Sequence, residues 1–194
     1  MKKYFTALLL AFALFANQKI FATALGPQLN LDYGFIVTPL PDGYTSFFGN
    51  FRFGSALSAK FDALPVFWAF SFDAAKHQYD SNNEKVSAWI LTFAASADWQ
   101  LINAEIKGLW HWFGGFGIVA DVGFTTTRTN VYTGFGPRAF IGMDWFFMDG
   151  FLELYAQQVL QPMLHFAFGN DARENGAFRF AVRFPSEIGL RFYF

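Results

Sequence analysis

Through most of the chain, apolar side chains recur at every second position, a period that predicts strands rather than helices. Eight such segments stand out, over 28–38, 47–61, 65–77, 86–102, 107–124, 133–147, 151–165 and 178–194. The last shows the pattern most fully. Ile188, Leu190, Phe192 and Phe194 share one parity, and Glu187, Gly189, Arg191 and Tyr193 the other. Earlier segments repeat it with Phe51, Phe53 and Leu57, with Val66, Trp68, Phe70 and Phe72, and with Phe116, Ile118, Val122 and Phe124.

The charged residues take the opposite parity. Asp32, Arg52, Lys60, Asp73, Asp98, Lys107, Asp121, Arg138, Asp144, Glu153, Arg179, Arg183, Glu187 and Arg191 all fall on the mixed face, while Lys76 and Lys85 sit at loop edges. A water-soluble sandwich needs its aromatic face inside and its charges outside. Eight consecutive strands closed into one barrel place both faces differently: aromatics toward lipid, charges toward the lumen. A charge facing lipid costs about 2–4 kcal/mol near the midplane, which accounts for its absence from the apolar set. The predicted fold is all-β, an eight-stranded antiparallel up-and-down transmembrane barrel.

Connections alternate in the same sense. Longer polar ones run from Pro39 to Ser46, Gln78 to Lys85, Thr125 to Tyr132 and Phe166 to Ala177, while Asp62-Ala63-Leu64 and Met148-Asp149-Gly150 read as tight turns. Trp68, Trp99, Trp110, Trp112 and Trp145 lie toward the tight-turn ends and predict an interfacial girdle there, with Trp89 alone toward the other rim. Two places break the pattern. The phase slips around Asn103-Ala104-Glu105, read as a turn, with an extra strand pair and ten strands as the alternative. Pro162 and Pro185 each remove a ladder donor, so strands seven and eight either bulge or pair irregularly there.

The N-terminus predicts a leader rather than part of the fold. Lys2 and Lys3 precede the apolar run Leu8 to Ala16, and Ala22-Thr23-Ala24 offers cleavage after Ala22 or Ala24. The apolar run is shorter than the roughly 20 residues of a spanning helix. Residues 1–24 are thus expected to be removed, leaving 25–194 as one barrel domain with 11 basic and 15 acidic residues, a net charge of −4. That balance supplies no basic footprint for nucleic acid. The chain has no Cys, which excludes a disulfide framework.

Eight strands leave an interior that side chains fill. Inward charges are therefore expected to pair, since an isolated buried charge is costly. Asp144, Glu153 and Arg191 lie at similar distances from the tight-turn end and predict one bridge. Arg52, Asp73, Asp121, Arg138 and Arg183 predict a second layer above it. Catalysis is not expected: His77 and His165 lie toward the outer rim near Asp80, Ser81 and Asp171, but no spacing demands a nucleophile, and no compact cluster suggests a metal. Gly114-Gly115-Phe116-Gly117 lacks the following helix of a phosphate loop. No cofactor is expected.

The stretch from Gly134 through Arg138, Asp149-Gly150 and Leu152-Glu153-Leu154 to the terminal Phe194 resembles small outer-membrane barrels of the OmpX, OmpW and OmpA-barrel type. The resemblance implies a bacterial outer-membrane location, contact with outer-membrane lipid, a monomer, and insertion by the barrel assembly machinery. In that family the closing Ile188, Leu190, Phe192 and Phe194 correspond to the assembly signal. The functions expected, in order, are a structural or surface-interaction barrel with a plugged lumen, then a narrow, porin-like passage for small polar or hydrophobic solutes. A lipid-modifying enzyme comes third. Deleting Phe194, or replacing it with a charged residue, is predicted to block membrane insertion while export continues. Heat-modifiable migration of the membrane fraction measures this, and normal insertion of the variant contradicts it.

Overall fold

The computed structural model describes residues 22–37, 51–61, 64–81, 84–126, 131–169 and 178–194, with backbone alone at 22–23, 36–37, 64–65, 77–81 and 84–88. Eight strands form a closed barrel in chain order: β1 (Ala22–Val37), β2 (Arg52–Phe61), β3 (Leu64–Ser81), β4 (Glu84–Lys107), β5 (Trp110–Thr125), β6 (Val131–Phe147), β7 (Leu152–Phe168) and β8 (Phe178–Tyr193). Every pairing is antiparallel, and β1 closes the ring on β8. A line drawn through cross-strand partners passes from Pro27 to Leu57, Phe70, Ala95, Ala120, Phe135, Leu164 and Phe180, and returns to β1 at Val37. The ring thus closes with a stagger of ten residues, which sets the strand tilt.

Parity decides which side faces out. Phe70, Phe93, Phe116, Ile118, Phe135, Ile141 and Ile188 each expose more than half of their surface. On the opposite parity Asp32, Asp98, Arg138, Asp144, Glu153, Arg183, Glu187 and Arg191 are at most 7% exposed. Toward the tight-turn end the outer face carries paired rings: Trp99 on Phe116 at 5.9 Å, Trp110 on Trp145 at 4.8 Å, and Phe151 on Phe192 at 6.0 Å.

Several boundaries differ from expectation. β1 begins at Ala22, because Ala24 pairs with both Lys60 and Tyr193. β4 runs on to Lys107, and the turn is Gly108-Leu109 rather than Asn103-Ala104-Glu105. Gly108 supplies the left-handed φ of +61° there, and its N–H donates to Glu105 Oε1 at 2.8 Å. The phase slip comes from two irregularities in β4, between Gln100 and Ile102 and between Glu105 and Lys107, so no extra strand pair forms. The second carries Lys107 out of the lumen into an exposed position at the turn. The expected loop from Gln78 to Lys85 is largely strand, since β3 reaches Ser81 and β4 resumes at Glu84. The Asp62-Ala63 turn and the segments 38–50, 127–130 and 170–177 lie outside the described residues.

The prolines produce no bulge. Pairing between β7 and β8 keeps one register from Gln158↔Ser186 to Gln161↔Arg183, merely omitting the pairs between. Pro185 lacks an N–H, and beside this gap the Gln158 side-chain amide donates to two β8 carbonyls, those of Phe184 at 3.2 Å and Pro185 at 3.1 Å. Ser186 Oγ in turn donates to Gln158 Oε1 at 2.6 Å.

Inward glycines make room for rings. Tyr155 is paired with Gly189 and Phe140 with Gly115, and a Cβ on either glycine would meet the opposing ring at 2.5–2.7 Å. Gly189→Ala is therefore predicted to destabilise the refolded barrel by about 1–3 kcal/mol through overpacking. Combining it with Tyr155→Leu should cost less than the two separate losses added together. Urea unfolding midpoints read both effects, and a neutral Gly189→Ala contradicts the packing argument.

Candidate functional site: the lumen

The inward side chains stack in three layers, each built around arginine. Nearest the tight turns is Arg191 on β8. Its guanidinium lies 4.2 Å from the Phe67 ring centroid and 3.8 Å from that of Tyr155. Nη1 donates to Glu153 Oε1 at 2.9 Å and Nε to Ser58 Oγ at 2.9 Å. The other oxygen of Glu153 accepts from Tyr193 Oη at 2.7 Å. Lys60 stands over Phe67 and Tyr193 at 5.3 and 5.7 Å, so the mouth is crossed by rings and cations.

Asp144 belongs to this layer but not to the expected three-way bridge. Its partner is His111 on β5, Nδ1 to Oδ1 at 3.2 Å. Register explains the difference. His111 lies directly across from Asp144, and Arg191 directly across from Glu153, whereas Asp144 faces Tyr155 on β7. Direct cross-strand neighbours approach more closely than diagonal ones.

The middle layer holds Arg138. Nη2 donates to Glu187 Oε1 at 2.8 Å, and Nε stands 3.0 Å from Asp98 Oδ1 as an ion pair. Gln157 Nε2 reaches the other oxygen of Glu187 at 2.5 Å. Tyr155 Oη donates to Gln28 Oε1 at 2.6 Å, and Gln28 Nε2 continues to Asn30 Oδ1 at 2.6 Å. Phe113 and Phe140 pack with Tyr155 and Val159 as an apolar cluster inside the barrel.

The outermost layer joins Arg52, Asp73, Asp121 and Arg183 around a cavity whose floor is Arg138. Arg183 pairs with Asp32, Arg52 Nη1 donates to Thr92 Oγ1 at 3.1 Å, and His165 Nε2 meets Asp121 Oδ2 at 3.2 Å. This cavity has a volume of about 40 Å³, and a second, between Phe67, Phe113, Phe140 and Arg191, about 10 Å³. A water needs roughly 10–15 Å³, so the first takes a few waters and the second one at most.

Every charged residue expected in the lumen network faces inward. Sequence parity places Asp32, Asp98 and Glu187 there without assigning them partners. It passes over Phe67, Phe113, Phe140 and Tyr155, whose inward parity is the available signal. Of the rim set, His165 is held by Asp121, while the side chains of His77, Asp80 and Ser81, and all of Asp171, lie outside the described residues. Among the described residues no group of three or more His, Cys, Asp and Glu is placed to hold a metal ion.

No family model matches the chain. No curated protein sequence matches it significantly either. Among solved structures it is similar to Neisserial surface protein A (NspA), with a TM-score of 0.51 and 11% identity over 88% of this chain and 99% of that one. The attachment invasion locus protein Ail of Yersinia pestis, in complex with the heparin analogue sucrose octasulfate, matches with a TM-score of 0.45 and 9% identity, over 89% and 100% of the two chains. A major outer membrane protein from Thermus thermophilus matches with a TM-score of 0.38 and 10% identity, over 88% and 99%. The fold is that of the small eight-stranded outer-membrane barrels. With its apolar exterior and charged interior, the chain is integral to the outer membrane.

Arg191→Ala is predicted to leave Glu153 buried without its cation and to cost about 3–5 kcal/mol. Adding Glu153→Gln should recover much of that loss, because the two groups couple. Urea unfolding of the single and double variants checks this, and strictly additive losses contradict the pairing.

Proposed function

We propose that this chain is an outer-membrane barrel with a structural or surface-interaction role, its lumen closed by its own side chains. The observation that carries this is the Arg191 layer, where a guanidinium clamped between Phe67 and Tyr155 and tied to Glu153 and Ser58 crosses the barrel interior. Below the outer cavity, the Arg138 layer and the inner aromatic cluster add two further obstructions. A passage for solutes requires all three to part together.

A surface role draws support from the β3–β4 hairpin. Pairing of β2 with β3 ends at Arg52↔Ala75 and of β5 with β4 at Ile90↔Thr125, yet β3 and β4 continue together to Ser81↔Glu84. Among the described strands this hairpin outruns both neighbours at the end opposite the tight turns, where an outer-membrane barrel meets the cell exterior. Insertion of a monomer by the barrel assembly machinery, in contact with outer-membrane lipid, completes the proposal. A leader removed after Ala22 or Ala24 belongs to the same reading.

Planar-bilayer recording of the refolded protein tests the closed lumen. The expected result is a membrane without steady conductance in the wild type and measurable openings in Arg191→Ala. Steady open channels in the wild type overturn the closed lumen and favour the narrow-channel alternative.

A further inference from the structure

We propose that the wall between β7 and β8 is a lateral portal latched by Gln158, through which the outer cavity takes the head of an uncharged, hydroxyl-bearing amphiphile from the bilayer. The ladder lapses on both flanks of one stretch of β7. Against β8 it omits the pairs between Gln158↔Ser186 and Gln161↔Arg183, and against β6 those between Phe135↔Leu164 and Ala139↔Leu160. Pro137, Pro162 and Pro185 fall within these lapses and have no N–H to give. A side chain spans the lapse toward β8. The Gln158 amide donates to the carbonyls of Phe184 and Pro185, and Ser186 Oγ donates to Gln158 Oε1. Gln158 faces outward, six residues from the Leu152 end of β7 and ten from the Phe168 end, where an apolar side chain suits lipid better. Its bonds differ from ladder bonds in one respect: a side-chain amide can turn aside while the register on either side holds.

The outer cavity lies directly behind this seam. Pro185, Gln161 and Arg183 line it, and so does Asp32, which stands across from Pro185 on β1. Asp32 and Arg183 form an ion pair, and each keeps one buried polar atom without a hydrogen-bond partner, Oδ1 on the aspartate and Nε on the arginine. One free acceptor and one free donor on a single ion pair suit a hydroxyl, which both gives and takes a hydrogen bond. Charge selects against ionised heads. Arg183 and Glu187 flank Pro185 on the inward face, so a guanidinium repels an ammonium there and a carboxylate repels a carboxylate. Size sets the limit. A volume of about 40 Å³ takes a hydroxyl with a carbon or two, and the alkyl chain stays in the lipid outside.

Sideways access is separate from passage along the axis, since the Arg191 layer lies nearer the tight turns, at Glu153↔Arg191, and stays in place when the seam opens. The test is amide NMR of the refolded barrel in micelles, titrated with dodecanol, dodecane, dodecanoate or dodecylammonium. Dodecanol is expected to shift the inward Asp32, Gln161 and Arg183 signals saturably, while dodecane moves outward residues alone. In Gln158→Leu the latch is gone. Its Val159–Gln161 amides should exchange about tenfold faster than in wild type, the effect of losing roughly one net hydrogen bond, and dodecanol should saturate at a lower concentration. Inward signals that dodecanol leaves unmoved, or that dodecane moves equally, overturn the proposal. So does an ionised probe that saturates before dodecanol, or unchanged exchange in Gln158→Leu. Should that variant not fold, the wild-type titration with the four probes decides.

Discussion

Closure of the ladder between β1 and β8 governs both the wall and the interior of this barrel. Lipid offers no partner to an unpaired backbone amide, so a sheet that enters the membrane must have no edge. Joining Ala24 to Tyr193 and Val37 to Phe180 removes both edges at once. It also requires the ten-residue stagger, which with eight strands sets how wide the interior is. Where proline interrupts the ladder at Pro185, the register holds and the Gln158 side-chain amide donates to the Phe184 and Pro185 carbonyls beside the gap. Even a local gap is closed from within the chain.

The interior follows from that width. It is too narrow for a wide aqueous channel, so polar side chains have to satisfy one another. Arg138, Arg183 and Arg191 each meet at least one acid, and the rings of Phe67, Phe113, Phe140 and Tyr155 take up the remaining space on the tight-turn side. The glycines opposite Tyr155 and Phe140 allow these rings to lie against the wall. Packing and charge are one problem here. Arg191 is at the same time an ion-pair partner and a ring-stacking partner.

Much of this is legible in the alternation of the chain, because a period of two assigns every residue to a face before any contact is known. That is why the inward position of Arg138, Glu153 and Arg191 follows from sequence. Register is less accessible. Asp144 pairs with His111 because of which residues lie directly opposite, and parity alone does not choose among inward neighbours. The turn at Gly108-Leu109 is masked by the β4 irregularities, which mimic the phase change of a turn while the strand continues. The inward aromatics are hidden by their own chemistry, since a hydrophobic residue in a membrane barrel is first read as facing lipid. The contacts of Gln158 require knowing where pairing between β7 and β8 lapses.

The barrel is inside out, with one parity toward lipid and the other toward the lumen. The chain contains no cysteine, so single cysteines introduced along β8 report their own positions when spin-labelled. Accessibility to dissolved oxygen and to a water-soluble nickel complex, measured in lipid at 186–192, reads this arrangement residue by residue. Labels at Ile188, Leu190 and Phe192 should be open to oxygen, and labels at Glu187 and Arg191 shielded from it, alternating with a period of two. A flat profile, or oxygen access at Glu187 and Arg191 in place of Ile188 and Leu190, would contradict it.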